Sequence, residues 1–266
     1  MENTLPSFQR CLDLGCDAVE LDVYLLKDGS LIVFHGGDTQ ENPGDLSNYC
    51  IGMNGRSILD LEYEQTQLLT FNDQFPEFGC DSEVIKRGRI PTLEEVLTLL
   101  KGRAITIIIE LKGAGTVQPT LRLVEKMEMV AQCHFSSFDL DRLQEIRMQY
   151  PEQLGDGTFR YKTGILYNIV PENFIELAKE VGASEVHLRY DMCTVDRIKA
   201  IHSHNMGTMA WFRGPMKMKS DVATKWTDVG NEDASMYLAV AATGVQQLCL
   251  NQPSVALNLW HNKIST

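Results

Sequence analysis

The sequence predicts an α/β fold of the TIM type, a (β/α)8 barrel, on three observations. Beyond residue 90, short apolar runs alternate with stretches of helical spacing, the pattern of a parallel sheet whose strands are joined by helices. No run is followed by the G-x-G-x-x-G or G-x-x-x-x-G-K loop that an open, doubly wound nucleotide-binding sheet would carry. Polar residues gather where the apolar runs end, and a barrel places its chemistry at the C-terminal ends of its strands.

In chain order, Asn3 or Thr4 is placed to cap a helix with Pro6 in its first turn. Phe8, Cys11, Leu12 and Leu14 follow at helical spacing, and Gly15 closes it. Residues 18–35, AVELDVYLLKDGSLIVFH, read as a hairpin because Lys27-Asp28-Gly29-Ser30 separates two apolar, β-branched runs. A two-residue turn at Asp28-Gly29 pairs Leu26 with Leu31, Tyr24 with Val33 and Asp22 with His35. The period of two along a strand then puts Glu20, Asp22 and His35 on one face.

Residues 36–89 are rich in Gly, Asp and Asn, with a short helical stretch near 58–69, and read as an excursion within one domain spanning 1–266. Thr92 and Glu95 are spaced as a capping box for a helix running to about Lys101. Apolar strands follow at 104–111, 133–138, 163–168, 184–189, 207–212 and 244–250. With the strand at Ala18 this makes seven parallel strands, one short of a closed eightfold barrel.

Of the 266 residues, 44% are hydrophobic, enough for a sizeable core. Acidic residues exceed basic ones by 36 to 24, for a net charge of -12, with no Lys/Arg cluster; binding of nucleic acid or anionic membrane through a basic patch is excluded. The seven cysteines are odd in number, scattered and never spaced C-x-x-C, which implies reduced thiols and no zinc site. No apolar run is long enough for a transmembrane segment and no secretory signal opens the chain, so the expected location is cytoplasmic.

Glu20 and Asp22, two residues apart on a strand, suit a hard divalent cation such as Mg²⁺ or Ca²⁺, and His35 is placed to move a proton. The plainer alternative is a pair of solvated charges on an edge strand. Among the strand ends, Glu110 and Lys112 close AITIIIELK, Ser137 and Asp139 close CHFSSFD, Arg189 and Asp191 follow EVHL, and Trp211 nears the end of GTMAWF. His134 and His187 sit within strands and read as core or helix-facing histidines, and Met206, Met209, Met216 and Met218 as packing residues.

Together these residues resemble the glycerophosphodiester phosphodiesterase family. The likeness runs through ENTLPSF, GCDAVELDVYLLKDGSLIVFH, IPTLEEVL, IIIELKG, SSFD and GVQQLCLNQP, in order along almost the whole chain. It implies a barrel with an inserted segment, here at about 36–103, and metal-dependent hydrolysis of small glycerophosphodiesters to sn-glycerol 3-phosphate and an alcohol. Glu20, Asp22 and Glu110 would hold Mg²⁺ or Ca²⁺, His35 would be one of two acid/base histidines, Lys112 would contact phosphate, and Trp211 would lie near the substrate.

One departure accompanies these matches. The family carries a His-Arg-Gly motif on a first strand ahead of the ENT segment, whereas this sequence starts at Met1-Glu2-Asn3. That departure implies an impaired enzyme lacking its second acid/base group. Two alternatives follow: a non-catalytic barrel that binds metal or phosphodiester, and a lysophospholipase D-like relative acting on lipid phosphodiesters.

Overall fold

The sheet begins with β1 (Ala18–Leu25), entered from a helix at Leu5–Leu14. In this computed structural model the described residues are 2–38, 42–47, 49–71, 90–212 and 232–264, with side chains to 260. Parts of the excursion, Cys80, Met216 and Met218, and the His261 side chain lie outside them. The chain divides into two compact units, one built mainly from residues 1–132 and the other from 133 onward.

In the first unit the helix starts as its sequence requires. Thr4 is extended, its hydroxyl accepts from the Ser7 N–H, Pro6 stands in the first turn, and Gly15 ends the helix in the left-handed region at φ 74°. After β1 come β2 (Leu31–Val33) and a small hairpin of β3 (Gly37–Asp38) and β4 (Pro43–Asp45). The described part of the excursion holds a 3-10 turn at Ile58–Asp60 and a short helix at Tyr63–Thr66. It packs back on the first hairpin, where Leu46, Tyr49, Ile58 and Phe71 share one buried cluster with Tyr24, Ile32 and Phe34. The helix Leu93–Leu100 opens with the Thr92/Glu95 capping box, and β5 (Thr106–Leu111) pairs in parallel with β1.

The first hairpin corrects the register expected from its turn. The loop is three residues long, closed by Leu26 N–H to Ser30 O at 2.9 Å, with Gly29 at φ 87°. The pairs are therefore Val23 with Val33, Tyr24 with Ile32 and Leu25 with Leu31. Asp28 is the physical reason: its carboxylate accepts from the Ser30 N–H at 2.9 Å and from the Tyr63 N–H at 2.8 Å, so it serves the loop and the excursion together. A shift of one residue would send His35 to the opposite face. Instead β2 ends at Val33, a last ladder bond runs from Phe34 N–H to Asp22 O at 3.0 Å, and His35 lies beyond the strand.

In the second unit β6 (Cys133–Ser137), β7 (Lys162–Tyr167), β8 (Glu185–Arg189), β9 (Gly207–Trp211) and β10 (Gln247–Cys249) pair in parallel, each with the next. Helices lie between them at Leu140–Gln149, Phe174–Glu180 and Val195–His202, with another at Ala234–Ala241. Counting β1 and β5, the described residues hold seven parallel strands, each starting within three residues of its expected position. Among the described residues no helix is long and apolar enough to cross a membrane.

His187 is a core histidine, fully enclosed, with Nε2 2.9 Å from Glu185 Oε2; His134 Nδ1 lies 3.3 Å from the other carboxylate oxygen. Burial pushes the Glu185 carboxyl up, but the two imidazoles reverse this and hold it far below the usual carboxylate range. The ring of His187 fits only because residue 164 has no side chain: a Cβ there would stand 2.3 Å from the ring. Gly164→Ala should destabilise the protein by about 1–3 kcal/mol in urea unfolding. Gly155→Ala, where an added Cβ meets nothing within 4 Å, should stay within about 0.5 kcal/mol of the parent.

Candidate active site

Six consecutive residues of β1 pair with six of β5 in unbroken register, and this places Asp22 directly beside Glu110. Glu20, two residues earlier on β1, shares their face because side chains alternate along a strand. Leu21, Val23, Ile109 and Leu111 point the other way and are fully buried, anchoring both strands. One carboxylate oxygen from each of Glu20, Asp22 and Glu110 lies within 4.8 Å of the others.

Lys112 continues β5 by one step on the same face. Its main-chain N–H donates to Val23 O, and its ammonium lies 3.0 Å from Asp22 Oδ1, 3.7 Å from Glu110 Oε1 and 3.3 Å from His35 O. One ammonium faces three carboxylates, so the cluster retains a surplus of negative charge. Glu20 carries that surplus: loss of water, then repulsion from Asp22 and Glu110, raises its carboxyl well above the usual range, against partial relief from Lys112. Burial also pushes Asp22 up, but Lys112, His35 and a hydrogen bond from Asn3 outweigh it and leave Asp22 lowered.

Asn3 clamps Asp22 on the β2 side of β1, where the Asp22 carbonyl also accepts from Phe34 N–H at 3.0 Å. Its amide Nδ2 donates to Asp22 Oδ2 at 2.8 Å, and its Oδ1 accepts from the Asp22 main-chain N–H at 3.2 Å. Asn3 does this from φ 54°, a conformation asparagine tolerates better than most residues, and its amide offers the donor and the acceptor that the task needs.

His35 is positioned by Tyr49. The imidazole Nδ1 lies 2.7 Å from Tyr49 Oη, and that hydroxyl donates to Gly36 O at 2.8 Å. A phenol has one proton. Tyr49 therefore accepts from His35 Nδ1–H, and in the neutral ring Nε2 carries the lone pair.

The structure thus brings together Glu20, Asp22, Glu110, Lys112 and His35. Trp211 ends β9 in the second unit, half-buried, packed edge-on against Phe138 at 5.7 Å, its indole N–H buried with no hydrogen-bond partner among the described residues. Arg189 and Asp191 form a two-bonded ion pair at 2.6 and 2.9 Å. Asn3 and Tyr49 are the site residues that sequence reasoning missed. Asn3 was visible as a possible helix cap; Tyr49 sits in the excursion with no flanking pattern.

The donor set fits a hard cation. Three carboxylates on one face supply oxygen ligands with excess negative charge, as Mg²⁺ and Ca²⁺ prefer, and no sulfur or imidazole competes within the trio.

Comparison with known proteins bears on the family and the fold. The family model described as the glycerophosphoryl diester phosphodiesterase family matches residues 1–220. A glycerophosphodiester phosphodiesterase of Caldanaerobacter subterraneus subsp. tengcongensis is 25% identical over 216 residues, 79% of each chain. Among solved structures, a Galdieria sulphuraria protein assigned as a glycerophosphodiester phosphodiesterase has a TM-score of 0.75 at 24% identity, covering 97% of this chain and 91% of its own. An Oleispira antarctica phosphodiesterase in complex with its product sn-glycerol-3-phosphate has a TM-score of 0.70 at 18% identity, covering 95% and 88%. The fold is thus the TIM-type α/β fold of these structures.

The raised Glu20 carboxyl has a measurable sign. In chelator, ionised Glu20 opposes folding; the penalty is absent below the pKa of an unfolded glutamate, about 4.3, and grows as pH rises from there toward the native value. At pH 7 in chelator, Glu20→Gln should raise Tm by about 2–4 °C, the shift that ~1 kcal/mol makes in a chain of this size. The same substitution should shrink the rise in Tm that Mg²⁺ or Ca²⁺ produces in the parent.

Proposed function

The chain belongs to the glycerophosphoryl diester phosphodiesterase family, a family of phosphoric diester hydrolases, and from that premise we propose the reaction and the roles of its residues. The substrate is a glycerophosphodiester and the products are sn-glycerol 3-phosphate and an alcohol. Glu20, Asp22 and Glu110 hold Mg²⁺ or Ca²⁺. What supports this most is the trio of carboxylate oxygens within 4.8 Å on one face of β1 and β5, with His35 at its border.

When bound, a divalent cation clamps phosphate oxygens and stabilises charge that develops at phosphorus. The protein's own groups do the rest. Asn3 and Lys112 hold Asp22 from opposite sides, fixing the ligand trio before substrate arrives. Lys112 adds an ammonium beside the cluster, a point charge for phosphate oxygens that needs no planar geometry. His35, held by Tyr49 with its proton on Nδ1, uses Nε2 to take a proton from the attacking hydroxyl, then returns it to the departing oxygen. Trp211 is assigned to substrate contact.

The test is release of sn-glycerol 3-phosphate from glycerophosphocholine, with Mg²⁺, with Ca²⁺ and with chelator. Turnover should need the cation and vanish in Glu110→Ala. His35→Asn should lower kcat by about 10²- to 10⁴-fold, as loss of an acid/base group does. Tyr49→Phe should lower it about tenfold, the rate equivalent of one hydrogen bond. Turnover of lysophosphatidylcholine in preference to glycerophosphocholine would move the substrate to lipid phosphodiesters. No turnover of either, with a cation-induced rise in Tm intact, would identify a binding barrel.

A further inference from the structure

The helix Leu5–Leu14 ends in a Schellman motif that sets two cysteines side by side. Cys16 N–H donates to Cys11 O at 3.0 Å and Gly15 N–H to Leu12 O at 3.1 Å, the paired 6→1 and 5→2 bonds of that motif. The motif brings the side chains of its first and last residues into contact, a place usually taken by two apolar groups. Here both are thiols, each half-buried and so open to solvent, and the Cys11 thiol hydrogen-bonds to the Cys16 sulfur. A disulfide needs Cα atoms about 4.4–6.8 Å apart, and the bond from Cys16 N–H to Cys11 O draws the two residues toward each other.

We propose that Cys11 and Cys16 form a peroxide-sensitive dithiol that closes reversibly to an intrachain disulfide. Cys16 is the attacking thiol. Its sulfur displaces hydroxide from the peroxide, so an S–O bond forms and the O–O bond breaks, leaving a sulfenic acid. Cys11 then attacks that sulfur; the S–S bond forms, the S–O bond breaks, and water leaves. In sum, two thiols and one hydrogen peroxide give one disulfide and two waters.

The chemistry favours this pair over other cysteines of the chain. The hydrogen bond from Cys11 lowers the Cys16 thiol to about 7, although burial and Asp17 push it up, so at neutral pH the thiolate that attacks peroxide is populated. Burial instead pushes Cys50, Cys133 and Cys193 up to about 12. The pair also lies at a consequential place. It joins the end of the helix entered through Asn3 to the start of the strand that carries Glu20 and Asp22.

The sequence allows a direct test. Arg10 and Lys27 bound a single tryptic peptide, CLDLGCDAVELDVYLLK, that holds these two cysteines and no other. The reduced full chain is exposed to stoichiometric hydrogen peroxide, free thiols are alkylated, and the digest is read by mass spectrometry. The expected result is this peptide two hydrogens lighter and unalkylated, restored to the doubly alkylated form by dithiothreitol, while the peptides of Cys50, Cys133 and Cys193 are alkylated as before. In Cys11→Ser, which removes the second thiol, a Cys16 sulfenic acid should persist and be trapped by dimedone. A peptide that remains doubly alkylated, or that oxidises no faster than those of Cys50, Cys133 and Cys193, would overturn the proposal.

Discussion

The parallel pairing of β1 with β5 is the constraint on which the site depends. Because the two strands run in register for six residues, Asp22 must stand beside Glu110, and Glu20 must stand on the same face one step back. The apolar residues between them are what hold this register: Leu21, Val23, Ile109 and Leu111 are fully buried on the opposite face, and a slip of one residue would exchange them with the carboxylates. The geometry of three acids is thus a by-product of core packing. No acid needs to attract another.

Electrostatics then make the arrangement unfinished. Lys112 can neutralise one carboxylate, and it lies nearest Asp22; the charge left over falls on Glu20, whose proton is held the more tightly for it. A cluster built this way is destabilised by its own ionisation and relieved by a cation. This is the opposite of Glu185, where each oxygen of one carboxylate faces an imidazole. The comparison separates a site poised for a ligand from one that serves packing, though both collect titratable side chains on strands.

Much of this was legible in the sequence because it rests on local rules. The strands follow from apolar runs, the helix at Leu5–Leu14 from its cap and glycine, the Thr92/Glu95 box from its spacing, and Glu20 with Asp22 from strand alternation. Glu110 was visible as a polar end to a long apolar run. His35 was named correctly as a neighbour of the acids for a mistaken reason. The Asp-Gly turn suggested a two-residue loop, but the Asp28 carboxylate is drawn to the Tyr63 N–H, thirty-five residues away, and no local pattern reveals that. The position of His35 is set instead by Tyr49, and that of Asp22 in part by Asn3, through contacts 14 and 19 residues apart. Side-chain partners at such separations depend on the folded path of the chain, which periodicity does not encode.

We propose that Glu20, Asp22 and Glu110 form one cation site, and this assignment is open to direct observation. It is tested most directly by anomalous diffraction from crystals soaked in Mn²⁺, a spectroscopically visible substitute for Mg²⁺. An anomalous peak is expected about 2.0–2.6 Å from a carboxylate oxygen of each of the three residues. A peak bound elsewhere, or no peak in this cluster with Lys112 still bridging Asp22 and Glu110, would contradict it.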